Sequence, residues 1–122
     1  MSSHYPFLTD PQVDLLLANG RQARLAQAQD ACFDPLPVVK LFTPDAGATW
    51  LLTEIDPDMP GIAFGLCDLG MGCPELGSVS LAELAALRGF MQRPIAQDPS
   101  FRATQRLSAY ASLAWKAGRI QA

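Results

Sequence analysis

The 122-residue chain predicts an α+β fold: a four-stranded antiparallel meander sheet with an N-terminal helix and two C-terminal helices packed mainly on one face. Three observations carry that prediction. Helix-start signals stand near residue 9 and again at Ser80, while the block between them is a series of runs rich in β-formers. The connections within that block are short, which suits antiparallel neighbours, because parallel strands need long crossovers. The last segment has an apolar face at helical spacing. Helices laid on one side of such a sheet bury its apolar face and leave the other wet.

The length suits a single domain with one core, spanning 1–122. It divides into an N-terminal helical segment (1–35), the antiparallel sheet (36–80) and the C-terminal helices (81–122). The first helix starts near Thr9-Asp10-Pro11-Gln12, where two registers compete. Thr9 as N-cap makes a T-x-x-Q capping box with Leu8 and Val13 as a hydrophobic staple. Asp10 as N-cap instead places Pro11 at the first helical position, where its missing N–H costs nothing. Val13, Leu16 and Leu17 supply the apolar stripe. Asn19-Gly20 predicts a C-terminal stop, although the RQARLAQAQDA that follows also favours helix.

Beyond Pro35 and Pro37, Val38–Thr43 reads as a strand, Pro44–Gly47 as a turn, and Thr49–Ile55 as a second strand. Asp56–Gly61 is dense turn chemistry. Ile62–Leu69 is the third strand and Glu75–Ser80 a short fourth. Ser80-Leu81-Ala82-Glu83 is then a capping box, with Val79 and Leu84 at the staple positions and Gly89 as the stop. Residues 90–106, with Pro94 and Pro99, read as an irregular link. Leu107, Tyr110, Ala111, Ala114 and Trp115 form the apolar face of the last helix, which Gly118 ends.

The stretch FGLCDLGMGCPELG, residues 64–77, concentrates the residue types that carry chemistry. As a zinc site it lacks ligands: Cys67 and Cys73 flank a turn, and the sole histidine is His4. Magnesium needs few carboxylates, and Asp68 and Glu75 with Asp45 or Glu54 would serve if the fold gathered them. A phosphate loop would require G-x-x-x-x-G-K-[ST] between a strand and a helix, and here the acids repel phosphate. A Cys–His pair would have to recruit His4, and G-x-S-x-G is absent. A hairpin accounts for more of the residues. Gly70-Met71-Gly72 turns the chain, Pro74 limits pairing, and Gly65 and Gly77 mark a bulge or a close backbone approach.

Only 17% of residues are charged and nearly half are apolar, as in folded globular proteins. No apolar run approaches the roughly 20 residues of a membrane span. The opening MSSHYPFLTDPQ lacks the basic and apolar regions of a signal peptide, and three irregularly spaced cysteines form no disulfide framework. A cytoplasmic protein with reduced thiols is expected, with Cys67 as a small core residue. Charge is uneven. Residues 1–87 carry Arg21, Arg24 and Lys40 against eleven carboxylates, whereas 88–122 carry Arg88, Arg93, Arg102, Arg106, Lys116 and Arg119 against Asp98 alone. Either the two parts attract each other within the fold, or the basic part faces an anionic partner.

LFTPDAGATWLLTEIDPD, IAFGLCDLGMGCPELGSVSLAEL and LSAYA, with LLANGR nearer the start, resemble the bacterial family known as domain of unknown function 2958. The likeness covers residues 36–120. Its matching positions include Pro44, Asp45, Trp50, Glu54, Phe64, Gly65, Asp68, Gly70, Glu75 and Gly77, and Cys73 departs from it. The resemblance implies a protein of plasmids and other mobile elements. It brings no catalytic set, cofactor or metal to carry over.

The expected function is therefore that of a small non-enzymatic accessory protein that binds another protein, as a monomer or weak homo-oligomer. Trp50 and Glu54, with Asp68 and Glu75, are the candidate partner-binding residues; Trp50 would be an exposed anchor there, although a large aromatic on a strand is more often a core residue. Nucleic-acid binding is the alternative, through Arg93, Arg102, Arg106, Lys116 and Arg119, with Phe101 stacking on a base. A further alternative is an acidic DNA mimic built from Asp45, Asp56, Asp58, Asp68 and Glu75. A carboxylate-dependent enzyme ranks last.

Overall fold

The computed structural model describes residues 5–89 and 91–122, so His4 lies outside the described residues. Thr9 caps the first helix, α1 (Asp10–Ala28), with both halves of the capping box formed to Gln12. Asp10 and Pro11 occupy its first turn, so both start signals are used together. The stop expected at Asn19-Gly20 does not occur. The helix-favouring residues after it carry α1 on to Ala28, outweighing a cost of about 1 kcal/mol for an interior glycine. Tertiary packing gives the pair another task. A Cβ on Gly20 would sit 1.9 Å from the Ile55 carbonyl oxygen, so only glycine lets the helix lie this close to the sheet.

The sheet comprises β1 (Val39–Phe42), β2 (Thr49–Ile55), β3 (Ile62–Asp68), β4 (Glu75–Ser80) and β5 (Ala96–Gln97). The first four form the expected meander, and the spatial order is β4-β3-β2-β1-β5. Every neighbouring pair is antiparallel. The fifth strand arises within the link expected to be irregular, and pairs only Gln97 with Leu41 and Ala96 with Phe42. The two remaining helices are α2 (Leu81–Ala86) and α3 (Leu107–Ala117).

Helix placement follows from β2, whose Trp50, Leu51 and Leu52 are all buried. Successive side chains point to opposite faces, so three consecutive apolar residues demand cover on both. On one face Trp50 and Leu52 join Val39, Leu41, Leu16 of α1, Leu81 and Leu84 of α2, and the N-terminal Phe7 and Leu8. On the other, Leu51 and Leu66 pack with Leu107, Tyr110, Ala111 and Ala114 of α3. Two helices thus share a face, and α3 takes the opposite one instead of joining them.

A register shift between Leu52 and Glu54 leaves Thr53 as an extra residue in β2. It changes the parity of the strand, which is why Ile55 rejoins the core of Trp50 and Leu52. Asn19 Nδ2 donates to the Thr53 carbonyl at 2.9 Å, and the single proton of the Thr53 hydroxyl is shared between Phe64 O and Glu54 Oε1, each at 3.2 Å. Opposite it, a Cβ on Gly65 would lie 1.9 Å from Leu51 O.

Candidate functional site

The hairpin tip between β3 and β4 forms as its glycines require, with Gly70 and Gly72 at φ 79° and 81°. Asp68 is 4% exposed and fastens two parts of the chain. Its Oδ1 accepts from the Gly70 amide at 2.8 Å, and its Oδ2 from the Ile120 amide at 2.9 Å. Trp115 Nε1 donates to Pro74 O at 2.8 Å, tying α3 to the same hairpin. An acid so engaged holds the C-terminal tail in place and is not offered to a partner.

The other sequence candidates fall in separate surroundings. Trp50 is 2% exposed, so it is a core residue and not an exposed anchor. It stands in a row with Cys67 and the exposed Glu75 on one face of the sheet. Burial, and then the charge of Glu75, pushes the Cys67 thiol above its ordinary range, which makes it unreactive. Cys32 and Cys73 are exposed free thiols. Glu54 lies toward the other end of β2, in a small cleft with Gly20, Arg24 and Asp56. Burial raises its carboxyl above the usual range, opposed by the hydrogen bond from the Thr53 hydroxyl. Asp56 is held low by the Asp58 amide and by Arg24. Asp45 is used within the fold: its Oδ2 accepts from the Met91 amide at 2.6 Å. Gly89 lies so close to its other oxygen that a Cβ there would come within 1.8 Å. Among the described residues no three His, Cys, Asp or Glu side chains are grouped to hold a metal ion.

The basic candidates are also dispersed. Arg102 donates to the carbonyls of Pro99 and Phe101, and Arg106 to that of Asp34. Phe101 packs against Tyr110, with ring centroids 6.3 Å apart, so its ring is occupied by the core. Arg93, Lys116 and Arg119 are exposed. Ion pairs among the described residues join Arg24 to Asp56 and Asp58, and Lys40 to Asp98. The one ion pair between the two parts, Lys40–Asp98, joins a cation of the acidic part to the sole acid of the basic part, and none of the cations beyond residue 87 pairs with a carboxylate among the described residues.

What the fold does assemble is an open groove of about 450 Å³ on the Trp50 face. Trp50, Val79 and Leu84 line it as apolar residues, Leu69 and Leu87 stand exposed beside it, and Glu83 and Arg88 add one charge of each sign. It forms because α2 springs directly from β4. Ser80 ends the strand and caps the helix, its Oγ accepting from the Glu83 amide at 3.2 Å. Of these residues sequence reasoning singled out only Trp50 as a candidate functional residue, and gave Val79, Ser80, Glu83 and Leu84 structural tasks at the start of α2. The available signal was Leu87, an apolar residue left over after the buried positions of α2.

The groove is bounded by β4, which forms one edge of the sheet. The Leu81 amide donates to Gly61 O at 2.9 Å. Antiparallel ladders alternate, so Val79, Gly77 and Glu75 also turn their backbone groups toward β3, and Leu76 and Ser78 turn theirs outward.

Fold and site together define a small α+β domain with an open sheet edge beside an apolar groove. The chain belongs to the family described as Protein of unknown function (DUF2958), whose model matches residues 7–121. No curated protein and no solved structure was found to match it. Among the described residues no helix is long and apolar enough to cross a membrane.

Proposed function

We propose that this is a non-enzymatic accessory protein that acts by binding another protein, receiving an apolar side chain of its partner in the groove between α2 and the sheet. The observation that carries this reading is the groove itself, a concavity of about 450 Å³ with an apolar lining and few polar groups. Glu83 and Arg88 at its side favour a partner segment with a charge of each sign flanking the apolar residue. A cytoplasmic setting and a role on a bacterial mobile element follow from the sequence and the family resemblance alone.

Selection of peptides from a random displayed library tests the reading. The selected peptides are expected to share an apolar anchor and to bind Leu87→Glu at least tenfold more weakly than the parent protein. Thermal melting of the variant controls for folding. Failure to select any peptide, or equal binding to the folded variant, overturns it.

Nucleic-acid binding is the second reading, supported by Arg93, Lys116 and Arg119, which are exposed and in no ion pair among the described residues. Fluorescence anisotropy with labelled single- and double-stranded DNA at two salt concentrations tests it. Affinity that falls steeply with salt supports phosphate contacts, and no binding at low salt removes them. The acidic-mimic reading has least support: Arg24 engages Asp56 and Asp58, Asp68 is buried, and loop amides occupy Asp45.

A further inference from the structure

The two edges of the sheet are treated very differently. Sheet edges are templates for pairing, and proteins blunt them with short strands, prolines, charges or bulges. β5 has those protections: it is two residues long, lies between Pro94 and Pro99, and is followed by Asp98, which pairs with Lys40. β4 lacks them. It is six residues long, its register against β3 runs without a shift, and from Leu76 to Ser80 it holds no charge and no proline.

We propose that β4 is an interface between two copies of this chain, paired antiparallel about a two-fold axis beside Gly77 so that the two sheets become one. The edge is complementary to itself in that register. Leu76 of one copy stands opposite Ser78 of the other, and these are the residues whose backbone groups point outward, so each such pair exchanges both of its hydrogen bonds. The axis passes beside a glycine with nothing within 4 Å of its Cβ position, so no side chain crowds the face of the sheet where the two strands meet. Glu75 falls opposite Val79 and not opposite its own copy, which avoids a like-charge pair.

Apolar surface accompanies the edge. Leu76 is 39% exposed, and Trp115, fastened to the carbonyl next to the start of β4, is 56% exposed. Both lie on the α3 side, where the two-fold brings the second copy's Leu76 and Trp115 toward them. Burial of such residues at a symmetric contact supplies the stabilisation that backbone pairing alone does not. The inference does not use the groove's apolar lining: it rests on the outward backbone of β4 and on the opposite face of the sheet, and shares with the groove only its rim at Ser78, Val79 and Ser80.

Sedimentation velocity of the full chain, from low micromolar to near-millimolar concentration, tests it. The parent protein is expected to form a dimer whose population rises with concentration. Ser78→Pro removes an outward N–H and places a ring where the second copy would sit, a change that an edge strand tolerates. Leu76→Lys adds an edge charge. Each is expected to weaken association at least tenfold while circular dichroism and melting show a folded chain. If Ser78→Pro fails to fold, Leu76→Lys decides. A parent protein that stays monomeric throughout, or a dimer that survives the folded variants, overturns the proposal.

Discussion

The inner strands and the outer strand of this sheet differ in how much freedom each residue retains. Gly65 and Gly77 face each other across β3 and β4, yet one has no room for a methyl group and the other has open space around it. Asp68 and Glu75 differ in the same way: the first is buried and accepts two amides, and the second is exposed at the edge. The same residue type is a structural requirement on one strand and a spare surface on the next. What separates them is whether another layer of chain lies against the position. Both proposed docking surfaces therefore lie on the β4 side, where the chain stops covering itself.

Substitutions made in pairs sharpen that contrast. The largest difference is expected between Gly65→Ala, which forces a Cβ against a backbone carbonyl and costs about 3 kcal/mol or more, and Gly77→Ala. The latter stays within about 0.5 kcal/mol; urea denaturation of both measures the gap. Next comes Asp68→Ala, which leaves the Gly70 and Ile120 amides without their acceptor and costs about 2–3 kcal/mol. Its partner in the comparison, Glu75→Ala, is expected to change stability by no more than about 0.5 kcal/mol. Trp115→Phe keeps the ring but loses the bond to Pro74 O, for about 1 kcal/mol. Equal effects within either pair would break the distinction between covered and open strands.

The smallest effect concerns Glu54 and depends on pH. Its folded carboxyl titrates above its unfolded value, so the fold binds that proton more tightly than the open chain does. That contribution to stability is present below the ordinary carboxylate range and is lost as pH rises through the raised value. Glu54→Gln removes the penalty, so its melting temperature should exceed that of the parent protein at pH 7, and the difference should vanish in acid.

Much of the fold was legible because its signals are local. The capping box at Thr9, the Ser80 cap (of whose box the serine half forms), the positive-φ glycines of the hairpin and Gly118 at the end of α3 each act over a few residues. Where sequence reasoning missed, distant contacts had overridden local propensity. Asn19-Gly20 reads as a helix stop, but its amide and its missing side chain serve a bulge thirty-four residues away. β5 is too short to announce itself and exists because β1 offers it an edge. Three apolar residues in succession in β2, Trp50, Leu51 and Leu52, were the available clue to a sheet covered on both sides and so to the position of α3. The groove was hardest to foresee, since its lining comes from the β1–β2 turn, β2, the β3–β4 hairpin, β4, α2 and the residues after it, and of these junctions only the Ser80 cap between β4 and α2 shows as a motif.

Amide hydrogen exchange at Leu76 and Ser78, followed residue by residue at low and high protein concentration, tests most directly the claim that β4 is an open edge made for pairing. Exchange should be fast at both amides in dilute protein and slow in concentrated protein, with Gly77 and Val79 protected throughout by β3. Rates at Leu76 and Ser78 that do not change with concentration would contradict it.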